Sequence, residues 1–264
     1  MRLLQRPSVQ LLGYLLFIAG ASLLAALVLT PWLPYPFPKV LRRAATVVAA
    51  VTLVPFIARI QQRSWQRLGL QRSRSMWRDL RQGLNCGALL FGTLLVALWQ
   101  QQVVTLHWPT LPDWLRLIGF APAALLIALL EEVFFRGVVL QSLMTDLGVV
   151  AAVALSSALY AILHFVKYLS HPLQVLPELI GLFLLGSVLA YAYLRTHLLG
   201  LSIGLHAGAA FLAKVDRYFV EFHGREPQWF FGTDRWLTGL LGWSLVVGAG
   251  SLIHWMTRRV VTTS

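Results

Sequence analysis

Cysteine occurs once in these 264 residues, as Cys86, and asparagine once, as Asn85. A single thiol excludes a disulfide framework and a cysteine-based metal cluster. Acidic side chains are scarce too, ten against 22 lysines and arginines, and charged residues make up only 12% of the chain. A soluble domain carries ~25%, so there is too little polar surface here for a water-soluble globule. HExxH is also missing, which removes the strongest sequence signal for a helical zinc protease.

What is present is apolar. Hydrophobic residues make up 58% of the chain, and runs of the ~20 residues a bilayer requires recur from end to end. Hydropathy places eight spans, roughly 10–29, 44–60, 84–106, 116–143, 148–168, 176–194, 198–215 and 236–256. The expected fold is all-α, a polytopic membrane helical bundle of about eight transmembrane helices in one integral membrane domain over residues 1–264. Near the start, Arg2 and Arg6 precede an apolar stretch too long for a secretory signal, so this is read as a retained first span.

The net charge of +12 does not point to nucleic acid, because its distribution is that of a membrane protein. Seven arginines (Arg59, Arg63, Arg67, Arg72, Arg74, Arg78 and Arg81) fall in one connection. Arginine beside membrane spans marks the cytoplasmic side and favours anionic lipid headgroups as partners. Trp65, Leu68, Met76, Trp77 and Leu80 are interleaved there, the pattern of a helix lying in the headgroup plane. Eight spans would then put both termini in the cytoplasm, with Arg258 and Arg259 in agreement. Lys39, Arg42, Arg43, Lys214, Arg217, Arg225 and Arg235 would fall on the other side.

Away from the span ends few ionisable residues lie inside the spans: Glu131, Glu132 and Arg136 in the fourth, His164 in the fifth and His206 in the seventh, with His254 near the end of the eighth. Each costs at least ~2.5–3.5 kcal/mol near the bilayer centre unless it faces a protein interior or a water-filled cavity. Glu132 and Arg136 are four apart, the spacing of an ion pair on one helical face, and a pair of this kind serves helix packing. Glu131 is rotated by about 100° from Glu132 and is free to face elsewhere. Counted from the turn near Asp146, Glu131 and His164 lie ~23 and ~27 Å away on antiparallel helices, and His206 lies ~13 Å into its own span. The three levels match if the fourth and fifth helices project past the bilayer at that turn. His254, near the interface, is a hydrogen-bonding residue between helices, and His107, His171, His197 and His223 lie in connections.

A glutamate and a histidine sharing a water can deprotonate it for attack on a carbonyl, and a second histidine can hydrogen-bond the oxygen that gains charge. The same three side chains could instead hold zinc. A proton-coupled carrier would also place Glu and His within the membrane, but no two-half repeat or broken-helix pair supports it.

The motifs carry a resemblance. "EEVFFR" (Glu131, Glu132, Arg136) resembles the EExxxR motif of the CPBP family of CAAX proteases and bacteriocin-processing proteins, also called Abi. "YAILH" (Tyr160 to His164) is similar to its second motif, an aromatic residue four before a histidine. "HAGAAF", from His206, is similar to the third. The resemblance covers about 115–215. It implies an eight-helix intramembrane endopeptidase in which Glu131 and His164 activate water, His206 helps form the oxyanion hole, and Glu132 and Arg136 organise the site. Family members have been described both as metalloproteases and as glutamate-type proteases. The latter is expected here, with no cofactor; if zinc were used, Glu131, His164 and His206 would hold it. The third motif usually ends in asparagine, and Ala210 stands there, leaving the oxyanion position open and a catalytically inactive scaffold or chaperone as the alternative. The expected substrate is a membrane-anchored peptide in a bacterial inner membrane, where prenylated proteins are not the expected class.

Overall fold

The computed structural model describes residues 5–165, 175–233 and 236–261. Arg2, His171, Arg235 and the last residues of the expected fifth span lie outside them. The helices are α1 (Pro7–Leu29), α2 (Phe37–Pro55), α3 (Arg74–Gln100), α4 (Leu111–Glu132), α5 (Gln141–Leu147), α6 (Val149–Phe165), α7 (Leu176–Thr196), α8 (Gly200–Phe219), α9 (Gln228–Phe231) and α10 (Leu240–Val261). Proline stands in the first turn of α1, α2, α4 and α7, where its missing N–H costs no helical hydrogen bond. Gly148, at φ +79°, ends α5 and reverses the chain into α6.

Six helical stretches are long and apolar enough to cross a membrane: Pro7–Trp32, Phe37–Gln61, Arg74–Gln100, Leu111–Leu147, Leu176–Thr196 and Leu240–Arg258. These and α6 and α8 correspond to the eight expected spans. The other two fall short for visible reasons. α6 is described over 17 residues, Val149–Phe165, and α8 carries Lys214, Asp216 and Arg217 near its end. The protein is therefore an all-α integral membrane bundle. α1 and α2 are peripheral, with 22% of their most apolar stretch buried against 44% for α7. Leu16, Leu24, Val51, Ile118 and Val150 point outward, which is costly in water and natural in hydrocarbon.

The arginine-rich connection departs from the expected interfacial helix. Residues 62–73 form turns, and α3 begins at Arg74, capped by Ser73, whose Oγ accepts from the Met76 amide. Its second half is thus the first turns of α3, ten residues before hydropathy places the span. Arg74, Arg78 and Arg81 depress hydropathy there without breaking the helix. Leu68, fully buried, tucks this connection against Gly137.

α3 and α8 pack backbone to backbone. A Cβ on Gly204 would come 2.1 Å from the Leu80 carbonyl, and one on Gly83 2.3 Å from that of Leu201; Gly87, Gly200 and Gly208 are nearly as tight. Small residues allow this approach, which dispersion and packing then stabilise in lipid. Two short strands, Val104–Leu106 and Val220–Phe222, pair antiparallel and join the far ends of α3 and α8. α8, which carries His206, is thereby fixed along its length.

Candidate active site

α4 does not run straight into α5. Val133–Leu140 is wound as wider π-helical turns beginning directly after Glu132, and departures of this kind recur at functional sites. The two glutamates diverge there, as a rotation of about 100° requires. Glu132 is fully buried. Its Oε1 accepts from Arg136 Nη1 at 2.7 Å and faces His206 Nδ1 at 2.8 Å. Arg136 donates its Nη2 to the Gly186 carbonyl of α7 at 2.9 Å and lies over the Tyr160 ring, 5.1 Å from its centroid. The buried guanidinium is thus met by a carboxylate, a carbonyl and a π face, which offsets the desolvation that makes such charges costly.

Glu131 faces away from that pair, towards both histidines. Its Oε2 lies 3.8 Å from His164 Nε2 and 3.7 Å from His206 Nε2. The structure therefore brings together the three side chains matched by depth in the sequence. One side is closed, with His206 buried, and the other is open, with the Glu131 and His164 side chains about one-third exposed.

The partners decide the tautomers. His164 Nδ1 is 2.9 Å from the Tyr160 carbonyl, which can only accept, so this nitrogen carries the proton. His206 Nδ1 faces Glu132 Oε1, an oxygen that already accepts from Arg136, and is a donor for the same reason. In the neutral rings both Nε2 atoms present lone pairs towards Glu131 Oε2, itself buried without a protein partner. Three acceptors facing one another are satisfied by a donor or a cation between them, and at separations above 3.5 Å a water can bridge. No group of three or more His, Cys, Asp or Glu side chains placed to hold a metal ion is found among the described residues.

Two site features were not expected from the sequence. The first is the His206–Glu132 bond, since Glu132 was assigned only to Arg136. The second is Tyr160, fully buried on α6, whose hydroxyl lies 3.5 Å from His206 Nε2. The spacing YAILH held the signal for Tyr160, since four residues place it on the same face as His164. Ala210 lies one turn beyond His206 and is partly buried, and Asn85 is on an exposed face of α3. His254 bonds Tyr191 at 2.6 Å between α10 and α7, as a helix-tying residue should.

No curated protein and no solved structure matches this chain. Residues 112–212, the stretch holding all three motifs, match the family model described as type II CAAX prenyl endopeptidase, Rce1-like, which is the CPBP family of CAAX-type membrane endopeptidases.

Proposed function

We propose that the protein is an intramembrane endopeptidase that hydrolyses a peptide bond of a membrane-anchored substrate with a water activated by Glu131 and His164. The observation that carries this reading is the convergence of Glu131 Oε2 with two imidazole Nε2 atoms at 3.7 and 3.8 Å, on a site closed on one side and open on the other. The match to a CAAX-type endopeptidase family over this stretch supports it.

The chemistry follows from the charges. Water held between Glu131 and His164 gives up a proton to the carboxylate as its oxygen bonds the carbonyl carbon. The carbonyl π pair moves onto oxygen. Collapse breaks the C–N bond, and protonated Glu131 delivers the proton to the departing amine, so one water and one peptide bond become an acid and an amine. General base catalysis of this kind contributes ~10²–10⁴-fold. His206 is held by Glu132 through Nδ1. With a proton taken up from solvent at Nε2 and returned after collapse, it can donate to the oxyanion while the Glu132 carboxylate balances its charge. Arg136 fixes Glu132 and so positions the imidazole indirectly.

The test is cleavage of a pool of membrane-anchored peptides by protein in nanodiscs, with new termini read by mass spectrometry. Glu131→Gln should lower turnover by ~10²–10⁴-fold with unchanged thermal stability, and chelator should leave the wild-type rate unchanged. Cleavage by Glu131→Gln at the wild-type rate would refute the glutamate's role. Loss of activity on chelation would move the reading to zinc, and an inert wild type would move it to a membrane scaffold.

A further inference from the structure

Hydrolysis through this site needs a hydrogen-bond donor for the oxygen that becomes negative, and the resting side chains around Glu131 offer few. His164 and His206 have their Nδ1 protons directed at the Tyr160 carbonyl and at Glu132. Arg136 Nη1 and Nη2 are turned to Glu132 and Gly186. Glu131 is an acceptor, and Ala210 has nothing to donate. Tyr160 differs. Its hydroxyl sits 3.5 Å from His206 Nε2, at the long limit of a hydrogen bond, and is not drawn to any stronger acceptor.

We infer that the Tyr160 hydroxyl is an oxyanion-binding donor of the proposed endopeptidase, acting beside His206. The inference rests on the functional reading above. The geometry gives the hydroxyl both a position and a mechanism. The ring is held by Phe135 edge-on at 5.1 Å, by the Arg136 guanidinium, and by the backbone of α7 at Gly186, where a Cβ would come within 3.3 Å of Tyr160 Cδ1. It also lies 4.4 Å from the His164 ring, centroid to centroid, so the hydroxyl belongs to the same small space as the activated water. In the resting site the O–H points to the lone pair on His206 Nε2. When that nitrogen gains a proton it no longer accepts the O–H, which turns to the substrate oxygen beside the Nε2–H. No bond to Tyr160 is broken; its proton is shared and not transferred. A phenol is suited to this because it stays neutral near pH 7 and carries both a donor and acceptor lone pairs.

The experiment is steady-state cleavage, in nanodiscs, of a membrane-anchored peptide from the pool that wild type cuts, by wild type, Tyr160→Phe and Glu131→Gln. Phenylalanine keeps the ring and its packing, so thermal stability should not change. Removing one oxyanion donor lowers kcat by ~10²–10³-fold, and the effect should fall on kcat with KM nearly unchanged. A merely structural Tyr160 would give full kcat in Tyr160→Phe, and that result overturns the inference. A rise in KM alone would do the same, placing the hydroxyl in ground-state binding. If Glu131→Gln also cuts at the wild-type rate, or wild type cuts nothing, the endopeptidase reading fails and this inference fails with it. If Glu131→Gln is inactive and Tyr160→Phe is not, only the tyrosine is wrong.

Discussion

Glu132 shows how one buried carboxylate can hold two helices in one setting. Its Oε1 receives Arg136 from the turn that follows it and meets His206 from α8, so α4 and α8 share an acceptor. Replacing Arg136 by methionine keeps much of the volume but leaves Glu132 without its counter-charge. Breaking a buried pair in this way costs ~3–5 kcal/mol. Arg136→Met should therefore lower the thermal midpoint in detergent and slow cleavage together. A variant of wild-type stability that has lost turnover would show that the arginine acts in the chemistry and not through the fold. At this scale the sequence was informative about spacing. The four-residue step from Glu132 to Arg136 dictated their pair, and the adjacency of the two glutamates dictated their divergence. It was silent on His206 reaching Glu132, because that bond depends on the rotation of α8 about its own axis, which no spacing within α8 specifies.

The helices set that rotation through glycine. Gly83 and Gly87 of α3 face Gly200, Gly204 and Gly208 of α8, with would-be Cβ atoms 2.1–2.8 Å from opposing carbonyls. Gly204→Val should push the helices apart, destabilise the protein by more than the ~1–3 kcal/mol typical of overpacking, and displace His206 two residues away. Gly92, on the same α3 but with nothing within 4 Å of a Cβ, is the control. Gly92→Ala should be neutral or stabilising by up to ~1 kcal/mol, through helix propensity. Thermal unfolding of the two variants side by side distinguishes steric contact from mere helix preference. Hydropathy located both helices but not this contact, since glycine weighs little on such a scale. It also placed the start of α3 ten residues late, because arginines in a helix read as a connection. The π-helical turns after Glu132 left no trace in periodicity; they answer to packing against α7 and Leu68.

For the molecule as a whole, the spans leave the arginine-rich connection and the strand pair at opposite ends of α3. Gln66 and Trp108 are both exposed, and the only native thiol, Cys86, is buried. In a Cys86→Ala background, Gln66→Cys should be shielded from a membrane-impermeant maleimide in intact cells, and Trp108→Cys should be labelled. The reverse pattern would invert the orientation expected from the arginines. The class of the protein was legible from composition alone, as a shortage of charge and an excess of long apolar runs. The number of spans was less so, because α8 ends in charge and is carried by its neighbours more than by its own hydrophobicity. The glycine contacts then bear on how such a molecule can be regulated. Interlocked teeth at four-residue intervals permit a slide only by a whole interval, ~6 Å along the axis, which would carry His206 out of reach of Glu131 altogether. Along that axis the protein has no dimmer, only a switch with a single engaged notch.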